Sequence, residues 1–598
     1  MSGLDSDSAY IAWRIIDCCL REDVRGIMHR SSEAAPPIAA RQAWPETAFP
    51  ERWRRIPHLP GGALWLPVQA SDYMQSLRAV GDGWLRETAQ GLVHERGADA
   101  WLALLSEGLD EETCRLHLEY AAEARCAAEH RTLSRQAYQE RTDALANALH
   151  AASWDERALR CDQVASYRDH PFYPTARAKS GFGEDDMRAY APEFDPSFQL
   201  RWLAIPRAAL QLTTEQPAFW PRMNDVGLDE ALAATHALLP VHPLTWPRLH
   251  DGDGFPLPPS TQRAPLAWLQ VQPTLSVRTV MPVAYPGLHI KLPLLMRTLG
   301  ALNLRLIKPS TIYDGHWFSQ ALTAVAENDE ALCNRYVHVD EAHGGHVDEA
   351  KHLAYLVRGY PSLPDSTLVP AAALSSVMPD GRPFAAHLAD RFHHGDLLAW
   401  WQAYAELLSS VHLRLWLNYG VALEANQQNT VVIYTPGQAP RLLMKDNDSA
   451  RVLLPRLHAR LPRIDTLGTL RDPRIPVEDD AALARMFCTI ILQLDLLAVL
   501  EGIAEWQPSS RQPMYAVLRR TLRATLDGLA REGIDTQPAE RLLQSPWLPV
   551  KYLLSAGSLL SKRVTGATDI NKFYGDSGPN FMLSDDIAMP ARQANEMA

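Results

Sequence analysis

Asp169-His-Pro-Phe-Tyr-Pro-Thr-Ala-Arg-Ala-Lys-Ser-Gly-Phe182 is the stretch from which the rest of the chain is read. Pro171 and Pro174 stiffen the backbone on either side of Phe172-Tyr173. His170, Arg177 and Lys179 supply donors beside Gly181, a position where backbone can approach a ligand closely. A stiff loop with several cations is a candidate phosphate cradle. The same composition also suits a solvated surface loop.

Moving outward from this loop, the character of the chain changes. Residues 1 to about 155 are rich in Ala, Leu, Glu and Arg and read as mostly helical, with a Pro-rich interruption over 34–60. From Cys161 to about Asp314, Pro, aromatic residues and short β-rich runs dominate. There 203–205, 274–283 and 288–292 read as strands, and 294–305 as a helix. From Gly395 helices return. Leu397, Trp400, Trp401, Tyr404, Leu407, Leu408, Val411 and Leu415 share one helical face, which ends at Asn418-Tyr419-Gly420. Residues 430–434 and 441–445 read as strands joined by Thr435-Pro-Gly-Gln438, followed by amphipathic helices over 479–505 and 515–532. The pattern is that of a multi-lobed α+β protein with antiparallel or mixed sheet in its middle lobe and a small sheet in a mostly helical last lobe.

With 598 residues there is room for three or four lobes, and 46% apolar residues can build their cores. The net charge of −12 argues against a nucleic-acid or membrane-surface binder, so an anionic ligand would need cations concentrated locally. Seven cysteines without CxxC spacing fit a reducing compartment, and the acidic start predicts no signal peptide, which together point to the cytoplasm. The apolar run over 489–500 is interrupted by Asp495 and reads as a core helix, not a membrane span.

Two further segments carry polar groups in unusual company. In the strand expected over 275–279, alternation puts Ser276 and Arg278 on one face, and in 288–292 it pairs His289 with Lys291. Arg and Lys on adjacent strands can neutralise a triphosphate, with Arg297 and Arg305 following. Taken alone, a half-exposed sheet with polar residues in water explains these positions better. Further on, Glu424, Asn426, Gln428 and Asn429 crowd between apolar flanks, and Asp446 ends a strand expected to pair with 430–434. Carboxylate and amide oxygens converging from neighbouring strands suit Mg²⁺, whereas a buried polar turn is the bland alternative. No GxxxxGK[ST] loop, no G-x-G-x-x-G after a strand and no G-x-S-x-G elbow is present. The run His338-Val-Asp-Glu-Ala-His-Gly-Gly-His-Val-Asp-Glu-Ala-Lys-His352 fits no zinc spacing, and its Gly pair reads as a loop.

Together and in order, these segments resemble the IucA/IucC family, the NRPS-independent siderophore synthetases. The first loop resembles that family's Gly-His-Pro-x-His-Pro-x-x-Lys-x-Arg-x-Gly motif. Tyr190-Ala-Pro-Glu-Phe194, Val241-His-Pro-Leu-Thr-Trp246, Ser276-Val-Arg-Thr279, Lys291, Glu424-Ala-Asn-Gln-Gln-Asn429 and Lys445-Asp446 resemble later motifs, with a weaker echo near 550–563. The resemblance implies a hand-like fold: a helical thumb (1–158), α/β fingers (159–394) and a largely helical palm (395–598). ATP is then expected between fingers and palm. The phosphate and nucleotide contacts would be His170, Arg177, Lys179, Ser276, Arg278, Thr279, Lys291, Glu424 and Gln428, with Asn429 and Asp446 as Mg²⁺ ligands. Arg278, Lys291, Arg305 and Asn426 are the expected catalytic groups.

Five departures stand out: Tyr173 replaces the motif's second His, Arg177 and Lys179 are exchanged, Asn426 replaces a His, Lys445 replaces the Arg of an Arg-Asp pair, and Asn303 stands where an Arg is expected after Lys291. The implied reaction is adenylation of a carboxylate, citrate or a derivative, and its transfer to an amine or hydroxyl with release of AMP and pyrophosphate. A homodimer is the default expectation for assembly. A kinase-like phosphotransferase releasing ADP and a non-catalytic nucleotide-binding subunit are the alternatives.

Overall fold

The protein is described from a computed structural model, over residues 3–46, 48–151, 153–249, 255–298, 304–566 and 573–583. In the N-terminal region helix Gly3–Glu22 packs on the long helix Glu111–Glu140, which is N-capped by Asp110. Between them in sequence, a six-stranded antiparallel sheet is built from Ser32–Glu33, Arg52–Ile56, Leu64–Ala70, Leu77–Ala79, Gly83–Thr88 and Gly91–Arg96. The helical reading of this region did not anticipate that sheet. Leu64–Ala70 is buried on both faces through Val68, so it lacks the alternation that marks a strand in sequence.

The middle of the chain forms a nine-stranded sheet whose strands Phe198–Pro206, Trp268–Pro273, Thr279–Pro282, Leu288–Lys291 and Ala354–Gly359 lie side by side, antiparallel. Trp202, Leu203, Ile205, Val271, Val280, Ile290 and Tyr355 fill its core. Two sequence expectations change here. Residues 274–278 are the turn of a hairpin, not a strand. Thr274 Oγ1 donates to Thr279 O at 2.8 Å, and Ser276 Oγ accepts from Thr279 N at 3.0 Å. Short hydroxyl side chains bonding nearby backbone compete with ladder pairing. Leu294–Arg297 and Leu304–Arg305 form an antiparallel pair in place of the expected helix, and Ser180 bridges to Arg297. A short apolar run gives little evidence for either period. Asn303, where the resemblance leads one to expect an arginine, lies outside the described residues.

The His-rich run is also more ordered than a loop. Gly344–Val347 is a buried strand, and a Cβ on Gly344 or Gly345 would meet Ile312 or Tyr355 at 2.6 or 2.5 Å. His343, His346 and His352 take separate partners in Tyr355, Tyr313 and Pro256 O. Among the described residues no group of three or more His, Cys, Asp or Glu is placed to hold a metal.

Helix Leu397–Tyr419 ends at Gly420 in the left-handed conformation (φ 70°), where glycine costs least. A four-stranded sheet follows in the order Tyr336–His338, Arg441–Met444, Thr430–Tyr434, Thr367–Pro370, taking two strands from each side of residue 395. The apolar helical run Asp480–Trp506 is long enough to cross a membrane, but 89% of its most apolar window is buried inside the protein. Within it Phe487–Leu497 is π-helical. The freed carbonyl of Leu494 is taken by Gln427 Nε2 at 2.7 Å and that of Asp495 by the Tyr404 hydroxyl at 2.9 Å.

Candidate active site

A cavity of about 530 Å³ lies where the 165–193 loop region, the 275–308 hairpins, the 424–449 segment, the π-helical turn and the strand Trp547–Lys551 converge. His170, Arg177, Lys179, Ser276, Arg278, Lys291, Arg305, Glu424, Asn426, Gln428, Asn429 and Asp446 all line it. Thr279 does not. It is 3% exposed and holds the hairpin turn through its backbone, so its expected phosphate contact is replaced by a structural one. Arg297 is exposed and off the cavity, which leaves Arg305 as the arginine of that pair facing it.

One wall is short of negative charge. The hairpin turn that carries Ser276 and Arg278 has Val277 between them at φ 63°, a strained conformation for a β-branched residue. Val277 tolerates it with its side chain buried against Met296 and Phe182. Arg278 donates to Leu306 O at 2.9 Å. Burial and the neighbouring Arg305 push its guanidinium down to about 9. Burial pulls Arg305 the same way. Two guanidinium groups whose charged forms are disfavoured by burial make a site that gains from an arriving anion.

The first loop is built differently from its reading. His170 Nδ1 accepts the backbone N–H groups of Phe172 and Tyr173, both at 3.1 Å, so Nε2 carries the proton. Burial, with Arg14, Arg21 and Lys551 nearby, lowers this imidazole to about 3, so it is a neutral donor and not a base. Arg177 and Lys179 line the cavity but are already neutralised. Arg177 bonds Asp169 at 2.7 Å and Ser134 at 2.8 Å, and Lys179 bonds Glu193 at 2.7 Å. Tyr173 turns away from the cavity into a buried network, bonding Glu123 at 3.0 Å and Ser558 at 2.7 Å.

The opposite wall carries the oxygens. Asn426 Oδ1 accepts from Gln428 N at 3.1 Å and Asn429 N at 3.3 Å, so the group it offers the cavity is its amide nitrogen. Asn429 precedes strand Thr430–Tyr434, and Asp446 follows Arg441–Met444. Thr430 pairs with Met444, which brings the two ligand candidates to neighbouring strand ends. Lys291 bonds Asp446 directly at the cavity lining and lies 3.7 Å from Asp448. Arg358 adds a second ion pair to Asp446 at 2.6 Å while also bonding Glu341. Despite burial, these cations hold the Asp446 carboxyl far below the usual range. Asp448, buried beside Asp446, is pushed up.

Sequence reading missed Arg358, Asp448, Lys308, Lys551 and the Asp472–Arg474 pair. Lys551 closes the apolar run Trp547-Leu-Pro-Val-Lys551, and a single charge at the end of a buried strand was the available signal. It faces Glu424 at 3.8 Å. Arg358 is one polar residue in a buried strand with no sequence neighbour to suggest Asp446.

Comparison with known proteins bears on this geometry. Residues 157–376 match the IucA/IucC family model, and residues 398–565 match a model described as ferric iron reductase FhuF-like transporter. Staphyloferrin B synthase of Staphylococcus aureus is 26% identical over 444 residues, covering 66% of this chain and 73% of that protein. Aerobactin synthase of Escherichia coli is 26% identical over 46% of this chain and 53% of its own length. Residues 157–376 of this chain thus form an IucA/IucC region. Petrobactin biosynthesis protein AsbB of Bacillus anthracis superposes over 97% of this chain and 96% of its own with a TM-score of 0.71 at 14% identity. ATP-bound aerobactin synthetase IucA of Klebsiella pneumoniae superposes over 96% and 100% with a TM-score of 0.66 at 17% identity. The chain therefore shares the fold of these solved proteins along nearly all its length, including the N-terminal region that neither family model covers.

Proposed function

We propose that this chain is a cytoplasmic, ATP-dependent siderophore synthetase that adenylates a carboxylate and joins it to an amine or hydroxyl. Citrate or a citrate derivative is the acid in this reading. Residues 1–158, 159–394 and 395–598 act as thumb, fingers and palm. The observation that carries it is the cavity itself: Arg278 and Arg305, without acidic partners within ion-pair distance in the structure described, face Asn429 and Asp446 across one space of about 530 Å³. Relatives support the acid and the nucleotide, since one is named L-2,3-diaminopropanoate–citrate ligase and a structural relative carries ATP.

In the first half-reaction a substrate carboxylate oxygen attacks the α-phosphorus of ATP, the bond to the β-phosphate bridging oxygen breaks, and pyrophosphate leaves. Arg278, Arg305 and Lys291 offset the repulsion between carboxylate and triphosphate and the charge that grows in the transition state. Neutral His170 donates from Nε2 to a phosphate or carboxylate oxygen. The donor set fits Mg²⁺, with hard oxygens from Asp446 and Asn429 and the remaining positions left to phosphate and water. Bound there, the ion would withdraw charge from the phosphates. In the second half-reaction the nucleophile attacks the acyl carbon, the bond to AMP breaks, and the nucleophile's proton passes to solvent or to the departing phosphate. Asn426 orients the acid through its amide.

The test is product analysis with the full chain, ATP, Mg²⁺, citrate and a panel of amines with hydroxylamine. AMP and pyrophosphate, formed only when acid is present, are the expected products. ADP would move the assignment to a phosphotransferase, and silence over a broad acid panel to a nucleotide-binding subunit.

A further inference from the structure

Neither family model reaches residues 1–156, yet helix Gly3–Glu22 sends its last turn to the cavity's edge. Arg21 and Glu22 are 7% and 2% exposed. Consecutive helical residues point about 100° apart, so such a pair reaches two different neighbours. Arg21 donates to Phe172 O at 2.6 Å, within the His170 loop. One and two turns earlier on the same helix, Cys18 lies against Phe172 O and Arg14 donates to His170 O.

Glu22 reaches the other way. Its Oε1 accepts Leu554 N at 3.0 Å, and its Oε2 accepts Ser555 N and Ser555 Oγ, each at 2.7 Å. Those amides open the π-helical turn Ser555–Leu559, three residues beyond Lys551. A buried carboxylate is tolerable only when so bonded, and burial still raises this one. The two segments held belong to different matched regions, 157–376 and 398–565, and His170 and Lys551 bring them to the same cavity.

We propose that Arg21 and Glu22 are positioning residues that clasp these two walls and set the width of the cavity between His170 and Lys551. The clasp rests on the reading of the cavity as an acid and nucleotide site. Because Tyr173 bonds Ser558 directly, loss of one pin loosens the walls without separating them.

Hydrogen exchange on the full chain, without substrate, tests the clasp by itself. Glu22→Gln keeps the shape and one acceptor, and should speed exchange at Leu554 and Ser555 about tenfold. The clasp requires that Phe172 and Tyr173 amides, bonded to His170 and not to Glu22, speed up as well. Acceleration confined to residues 554–556, or none, overturns it. Arg21→Lys should give the mirror result, loosening 554–555 from the other side. In steady state with citrate as the probe acid, Glu22→Gln should raise the KM for citrate about tenfold and leave the KM for ATP within about twofold. Equal changes in both constants would mark a merely structural residue and overturn the assignment. A wild-type chain silent over the broad acid panel would refute the proposed function, while the exchange measurement would still decide the clasp.

Discussion

His170-Pro171 and His242-Pro243 are the same local device with two outcomes. In each, the imidazole Nδ1 accepts the backbone N–H two residues on, from Phe172 at 3.1 Å and Leu244 at 3.2 Å. In each, burial lowers the ring to about 3. There the likeness ends. His170 lines the cavity among Arg14, Arg21 and Lys551. His242 is 0% exposed, packed edge-on against Tyr190 and Phe198, with Nε2 buried and unpartnered among the described residues. A His-Pro pair therefore specifies a turn and a tautomer. Whether the remaining N–H meets a ligand or an aromatic wall is decided by what packs around it.

The largest expected effect tests whether neighbours, and not the turn, make the site. Arg278→Ala leaves both His-Pro turns intact and should lower AMP formation by about a thousandfold, with an unchanged melting temperature. Retained activity would break the comparison at its root. Next, asparagine can still accept the turn's N–H groups but lacks Nε2. His170→Asn should cost about a hundredfold in kcat/KM with little loss of stability. His242→Asn should leave activity per folded molecule unchanged and destabilise by about 2 kcal/mol, read from denaturant midpoints, as the ring packing is lost.

A pH series sharpens the same contrast. Both folded-state values lie below the unfolded histidine value of about 6.5, so between there and about 3 the unfolded chain binds protons that the folded chain does not. Their contribution is complete above pH 6.5 and is lost as pH falls. His242→Asn should therefore lose less stability than the wild type between pH 7.5 and 5 in urea titrations. Smallest of all, Thr279→Val should change kcat/KM by less than about twofold, because the hairpin uses that residue's backbone. A tenfold loss would return Thr279 to the cavity.

Much of the site was legible because its elements are local. The helix ending at Gly420, strands Thr430–Tyr434 and Arg441–Met444, and the placing of Asn429 beside Asp446 follow from period, cap and hairpin chemistry. The turn at 274–278 was also written in its Thr and Ser residues, but β-branched neighbours made it read as strand. Arg177 and Lys179 show the opposite failure. As a sequence they are two cations on a loop, and only folding brings Asp169 and Glu193 to neutralise them.

The chain order of residues thus determined which backbone segments bend, which cap and which ring nitrogen carries a proton, since those interactions span a few residues. Tertiary structure alone decided which charges are spent and which are left for a ligand. Lys291 meets Asp446 across 155 residues and Glu22 meets Ser555 across 533. Charge balance in a buried site depends on distance in space and on exclusion of water, and neither is encoded in sequence spacing.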